Sequence, residues 1–199
     1  MNFISHSHKH ADAIIEKHYH NEYSEIIEAV KTISDEEIKQ KFITGKKIRP
    51  GTKSLSEAIN LLLKEKLIAK AWTPEPPIFK GEEYEKKGRW RLDFAKNSIS
   101  IEVAFNHREA TAHNIIKPVL ASELNHISKK IQTKVAVIIT ATDALKGAGG
   151  FDNAIGTYEL FQSYLKPYNQ IVTVPLMLIG LCEPETFHIK NKEVNQGKL

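Results

Sequence analysis

The sequence predicts an α/β domain in which a central mixed sheet is flanked by helices. Three observations lead there: a helical apolar period in the first third, a switch to alternation between Gly88 and Asn106, and a wholly apolar β-branched run from Lys134 to Thr140. A chain of 199 residues with 41% hydrophobic and 26% charged content is sized for one domain with a substantial core, and residues 1–199 are read as such. The longest apolar run, Val174 to Cys182, is broken by Pro175 and Gly180 and falls far short of the roughly 20 residues that span a bilayer. No membrane association is expected. Met1 to His10 offers neither the basic start nor the apolar stretch of a secretory signal, so the expected compartment is the cytoplasm.

Between Ala11 and Lys31, Ile14, Ile15, Tyr19, Tyr23, Ile26, Ile27 and Val30 recur at three- and four-residue spacing, as in one amphipathic helix or two short ones. Ser34 with Glu37 resembles a capping box that opens a short helix toward Phe42. A basic loop is expected next, because GKKIRPGTK (45–53) gathers Lys46, Lys47, Arg49 and Lys53 with two glycines and a proline. It would serve as a DNA-phosphate contact or as a plain solvated loop. Residues 1–53 thus read as a helical region ending in that loop. A helix from Ser54 to about Lys70 follows, with Leu55, Ala58, Ile59, Leu62, Leu63 and Leu67 on its apolar side. Residues 72–80 carry three prolines and read as an irregular connection.

The stretch GRWRLDFAKNSISIEVAFN (88–106) alternates as two strands turning at Asn97 and Ser98. Pairing Lys96 with Ile99 sets Phe94 against Ile101, Leu92 against Val103 and Trp90 against Phe105 on one face. The other face sets Asp93 across from Glu102, with Arg91 opposite Ala104 and Arg89 near Asn106. Opposed side chains on antiparallel strands lie about 5 Å apart, and like charges there are destabilising. A hard divalent cation compensates for that repulsion: Mg²⁺ prefers oxygen ligands, uses one or two carboxylates, and leaves positions for water and a phosphate oxygen. Such a site suits phosphodiester hydrolysis, because the metal acidifies water and stabilises charge on the phosphate. The competing reading is a surface hairpin whose acids are neutralised by Arg89 and Arg91.

After HREATAH, a helix is expected from about Asn114 to Ile131, striped by Ile116, Val119, Leu120, Leu124 and Ile127, with Pro118 near its first turn. Lys134 to Thr140 suits a strand buried on both faces. Gly147 to Gly156 reads as a long loop, Thr157 to Leu165 as a helix, Val174 to Leu181 as a last strand, and 185–199 as a tail. The lone Cys182 excludes a disulfide framework and a thiolate zinc site, and reads as a small buried hydrophobe. Five of nine histidines lie between His6 and His20, irregularly spaced on what reads as a surface helix. The net charge of +4 permits a polyanionic partner without requiring one.

Taken in order, SLSEAINLLLKEKLIAKAW (54–72), LDFAKNSISIEVAF (92–105), KVAVIITATDAL, GTYELFQSYL and VPLMLIGLCEP resemble the BglII/BstYI family of type II restriction endonucleases. The resemblance spans roughly residues 54–184 and implies a PD-(D/E)XK nuclease core. It implies a homodimer that embraces double-stranded DNA and cleaves each strand with Mg²⁺, at a palindrome that in relatives contains GATC. A cognate DNA methyltransferase is expected in the same system, not in contact. Asp93 and Glu102 match the metal ligands. The family continues E-x-Q and the wider superfamily E-x-K, whereas this chain reads Glu102-Val103-Ala104. Asn106, His107 and Glu57 are candidates for the missing polar role, although Glu57 also fits a capping box with Ser54. His107 would act as a general base or phosphate contact, and Glu57 would join the metal through water. DNA contacts are expected from Lys46, Lys47, Arg49 and Lys53, from Asn106, His107 and Arg108, and from the loop reaching Asn153. Of these, Arg108 or Asn153 can reach base edges. A repair or processing nuclease of the same fold, or a non-cleaving DNA-binding protein, are the alternatives.

Overall fold

Seven consecutive buried residues, Val135–Ala141, form the strand around which the rest is arranged. In the computed structural model, which describes residues 1–85, 88, 90–123 and 126–198, the elements begin with β1 (Phe3–His8), α1 (Ala11–His18), α2 (His20–Lys31), α3 (Asp35–Ile48) and α4 (Ser56–Ala69). They continue with β2 (Thr73–Pro74), α5 (Glu82–Glu85), β3 (Phe94–Lys96), β4 (Ile99–Val103), α6 (Thr111–Ser122), β5 (Val135–Ala141) and α7 (Asp143–Ala148). The chain ends with α8 (Tyr158–Leu165), β6 (Leu176–Leu181), β7 (Phe187–Lys190) and β8 (Glu193–Gln196). Arg89 and Leu124, invoked above, lie outside the described residues.

The six-stranded sheet has the order β1-β6-β5-β4-β3-β2. Strands β4, β5 and β6 run parallel, and β1, β3 and β2 pair antiparallel at the flanks. The mixed sheet between helices is therefore as expected. Alternation along the parallel strands splits the core in two. Ile99, Ile101, Val135, Val137, Ile139 and Ile179 face α1 to α4, packing with Ile26, Phe42, Ile59 and Leu63. Ala136, Ile138, Leu176 and Leu178 face α6 and α8, packing with Ile115, Val119, Phe161 and Leu165.

The 11–31 segment is two helices, not one. The Ser34–Glu37 capping box is formed, with Glu37 N donating to Ser34 Oγ at 3.2 Å and Ser34 N donating to Glu37 Oε2 at 2.8 Å. The helix it opens does not stop near Phe42. It runs to Ile48, so Lys46 and Lys47 sit in its last turn, where cations favour the carbonyl end of the helix dipole. The expected basic loop shrinks to the few residues after Ile48. The second capping box is absent: Leu55 precedes α4 without a side-chain cap, Ser54 Oγ lies 2.9 Å from Ser56 Oγ, and Glu57 pairs with Arg49.

The hairpin keeps the expected register, Lys96↔Ile99 and Phe94↔Ile101, and Asn97 takes the left-handed φ of 50° that asparagine tolerates in a two-residue turn. Beyond Phe94 the ladder ends. Leu92 N donates to Pro76 O at 3.2 Å and Ile78 N to Trp90 O at 2.8 Å, so the proline-rich connection, and not β4, takes the partners of residues 90–92. Leu92 consequently packs with Ile78, Phe79 and Ala121, away from Val103. The hairpin tip is anchored by Lys96, whose ammonium donates to both Glu25 oxygens at 2.8 Å and to Lys70 O at 2.8 Å, while Trp72 Nε1 donates to Glu25 at 2.9 Å.

Three further differences concern the later chain. Helix α6 starts at Thr111 and ends at Ser122, with Pro118 well inside it; the ring removes the bond to Asn114 O and the helix still continues one turn. Helix α7, capped by Thr142 Oγ1 accepting from Leu145 N, occupies the start of the expected glycine loop. Residues 187–196 are a hairpin, not a loose tail: Asn191 and Lys192 both take positive φ, and Phe187 and Ile189 are buried in the main core. Strand β1 completes the sheet edge, so His6 and His8 lie on a strand and not on the surface helix expected for the histidine-rich segment, and His8 is buried. Cys182 just beyond β6 is half-buried, and burial pushes its thiol pKa up.

At Gly180 in β6 an added Cβ would stand 2.7 Å from Tyr158 Cγ and Cδ2 and 2.8 Å from Tyr158 Cβ. Tyr158 is itself buried, so this contact has little room to relax. Gly180→Ala is expected to lower stability by about 1–3 kcal/mol through overpacking. Urea unfolding measures this, and a loss under about 0.5 kcal/mol would show that α8 shifts freely.

Candidate active site

On β4 the two-residue period that buries Ile99 and Ile101 against α2 and α4 turns Ser100, Glu102 and Ala104 to the opposite face, toward α6. Glu102 is 2% exposed. Asp93, just before β3, reaches the same place: its Oδ2 accepts from Val103 N at 2.6 Å. Both acids line a cavity of about 270 Å³ with Asn60, Lys64, Glu75, Val103, Asn106 and Lys117. Asp93 thus meets β4 through a carboxylate-to-backbone bond, one residue outside the ladder that predicted its position.

Burial dominates the electrostatics. It raises the Glu102 pKa to about 8, with the neighbouring Asp93 charge adding to the rise and Lys117 opposing it. Asp93 is also raised, chiefly by burial, with Lys117 and the Val103 N–H pulling it down and Glu75 pushing it up. Glu102 Oε2 contacts Lys117 Nζ, while Oε1 is buried without a hydrogen-bond partner. Lys117 also donates to Arg91 O at 3.1 Å, on the segment that leads into Asp93.

A buried Glu102 with an orphaned oxygen and a half-buried Asp93 that repels it fit a divalent cation. Among the described residues no group of three or more His, Cys, Asp and Glu could hold a metal ion. A cation at this place would rest on two carboxylates, a set that suits Mg²⁺ with its retained waters better than a fully protein-caged ion.

The remaining sequence candidates divide. Asn106 lines the cavity from beyond the end of β4, which stops at Val103. Glu57 does not line it: its carboxylate pairs with Arg49 at 3.1 Å, and α4 presents Asn60 and Lys64 to the cavity instead. His107 is exposed and lies 3.9 Å from Glu109, outside the lining. Lys46 donates to Lys192 O at 2.6 Å in the C-terminal hairpin, while Lys47, Arg49 and Lys53 are exposed. Arg108 and Asn153 are exposed on adjoining loops, joined by Arg108 N donating to Ala154 O at 2.6 Å. The basic segment meets the same region, because Leu55 N donates to Gly149 O at 2.9 Å and Gly150 packs against Lys53 O. Gly150 has φ 67° and a Cβ there would lie 2.7 Å from that carbonyl, so the approach requires glycine.

Sequence reasoning missed Lys117, Asn60, Lys64 and Glu75. Lys117 did carry a signal: it is a lone cation in the apolar run IIKPVL of a helix that must cover the sheet. Asn60 follows Glu57 by three residues, so the right helical face was nominated through the wrong residue.

A parallel-centred sheet, an antiparallel hairpin and an acidic pair at its base define the architecture of a restriction endonuclease. A restriction endonuclease BglII/BglIII family pattern matches residues 3–181, and the chain belongs to that family. Membership makes it a site-specific deoxyribonuclease by class. Among solved structures it is similar to the restriction endonuclease BglII in complex with a DNA 16-mer, at 24% identity and TM-score 0.68, covering 93% of this chain and 80% of that one. Free BglII is similar at 20% identity and TM-score 0.54, over 98% and 91% of the two chains. No match was found among curated proteins.

Because the folded Glu102 carboxyl holds its proton more tightly than the usual 4.5, its stabilising contribution is full below about pH 4.5 and is lost as pH rises to about 8. Without metal, wild type should therefore lose unfolding free energy relative to Glu102→Gln between pH 5 and 8, and millimolar Mg²⁺ should reverse the loss. A pH-independent difference between the two proteins in EDTA would refute this assignment.

Proposed function

We propose that the protein is a Mg²⁺-dependent type II restriction endonuclease that hydrolyses phosphodiester bonds of double-stranded DNA at a short palindrome. The observation that carries this reading is the Asp93–Glu102 pair, mutually repulsive and open to a cavity, with Glu102 buried and Asp93 half-buried. Residues 1–199 act as one nuclease domain, with 54–184 as its core. When bound, Mg²⁺ supplies positive charge for the phosphate and acidifies water.

Asp93 and Glu102 hold the metal. Val103 N–H fixes the Asp93 carboxylate, so one ligand is preorganised by the strand that carries the other. Asn106 borders the cavity and orients the attacking water, and Lys64 stands beside it, 3.7 Å from Glu75. Hydrolysis forms a bond from water oxygen to phosphorus and breaks one P–O bond of the backbone. Arg49 and Lys53, with Lys46 and Lys47, contact phosphates; His107, Arg108 and Asn153 sit on loops tied together beside them, where Arg108 and Asn153 reach base edges. Glu57 acts on Arg49, not on the metal.

Two copies related by a two-fold axis each read one half of a palindrome and cut one strand. The solved relative bound to a DNA 16-mer supports a DNA substrate. A GATC-containing site, action in the cytoplasm and a cognate methyltransferase that protects the host's own sites complete the proposal.

Purified protein incubated with unmethylated phage DNA should give discrete fragments in Mg²⁺ and none in EDTA, and sequenced ends should define one symmetric site. Cutting confined to ends or damaged structures would indicate a processing nuclease, and a gel shift without cutting would indicate a binding protein. Glu102→Ala and Asp93→Asn should each slow cleavage at least about 100-fold, several kcal/mol of lost charge stabilisation. Both should still shift DNA in Ca²⁺. Wild-type cutting by Glu102→Ala at limiting Mg²⁺ would place the metal elsewhere.

A further inference from the structure

We infer that Lys117 is the third catalytic group of this site: its ammonium, delivered from α6, contacts the scissile phosphate in the role that Ala104, just past the end of β4, cannot fill. The inference rests on the nuclease reading above. Its first support is geometric. Lys117 Nζ contacts Glu102 Oε2 and donates to Arg91 O at 3.1 Å, bridging the two segments that carry the acids, and its side chain lines the cavity. An ammonium has three donors, and these two partners leave one for a ligand.

The second support is what occupies the alternative position. Ala104 is 2% exposed and packs in the α6-side core with Ile115 and Val119, so its methyl is helix packing and does not reach the cavity. The strand position that would project a polar group is filled by a contact that brings α6 close. The helix then supplies the cation.

A purely structural ion pair accounts less well for the same atoms. Glu102 Oε1 has no partner at hydrogen-bond geometry, with only the Asp93 N–H near enough to favour its charged form, so the Lys117 pair by itself leaves the carboxylate incompletely satisfied. Lys64, the other cation at the cavity, is 46% exposed and lies 3.7 Å from Glu75. Lys117 is 11% exposed. A cation held in a dry site stabilises charge that grows on the phosphate far more than one free in solvent.

The two roles separate in Lys117→Met, which keeps most of the aliphatic stem and removes the charge. In free protein the ammonium competes with a divalent cation for Glu102. Removing it should leave Ca²⁺ affinity, measured calorimetrically without DNA, unchanged or raised about threefold or more, as loss of a like charge requires. Cleavage at saturating Mg²⁺ should meanwhile fall at least about 100-fold, with DNA affinity in Ca²⁺ within about threefold of wild type. Lys117→Arg, which keeps the charge, should retain more activity than the Met variant.

Parallel loss of Ca²⁺ affinity and cleavage in Lys117→Met would overturn the inference in favour of a structural role. So would cleavage within about threefold of wild type. If Lys117→Met does not fold, Lys117→Arg decides: Ca²⁺ binding intact with cleavage well above that of Glu102→Ala supports the inference, and cleavage as low as Glu102→Ala overturns it. Wild-type protein that cuts no DNA would instead sink the nuclease reading itself, and the inference with it.

Discussion

Everything at this site follows from placing the Glu102 carboxylate under a helix, on a strand with buried neighbours on both faces, and bringing Asp93 beside it. Desolvation and like charge both oppose ionisation there, and they lift the Glu102 pKa to about 8. In the free protein two things relieve this, the proton that Glu102 retains and the ammonium of Lys117. The surrounding architecture keeps the strain in place. Lys96 clamps the hairpin tip to Glu25 and Lys70, and Val103 N–H holds Asp93, so the acids cannot separate to relieve repulsion.

The sheet also carries the site to the loops expected to meet DNA. Asn106 O accepts from Gly156 N at 3.0 Å, Arg108 N reaches Ala154 O, and Leu55 N reaches Gly149 O. Three loops distant in sequence are thereby stitched into one border around the end of β4. Backbone bonds of this kind fix loop position without using side chains, which leaves Arg49, Lys53, Arg108 and Asn153 exposed for a partner.

What could be read from the chain was whatever its periods determine. The register Lys96↔Ile99 follows from a two-residue turn, and β5 from an unbroken β-branched run. Competition between partners could not be read. Nothing local says that Pro76 and Ile78 take the backbone of residues 90–92, that Arg49 draws Glu57 outward, or that Phe187 and Ile189 bury a segment resembling a tail. Lys117 was hidden for the same reason: its role depends on which face of α6 meets β4, and Pro118 beside it pointed to a different start for the helix.

The pairing of Ala104 with Lys117 shows why a catalytic group can be hard to find from a strand motif alone. A side chain at position 104 leaves β4 on the same face as Glu102, and a long polar one would need the space that Ile115 and Val119 now fill. With alanine there, α6 packs closely and brings its own residues over Glu102. A lysine stem of four carbons spans the distance from that helix while staying apolar along its length, so it crosses the core at little desolvation cost and presents its charge only at the end. The chemistry requires a cation at a point in space, and either the strand or the helix can deliver it. In this chain the small residue on the strand and the buried lysine on the helix are two halves of one packing solution.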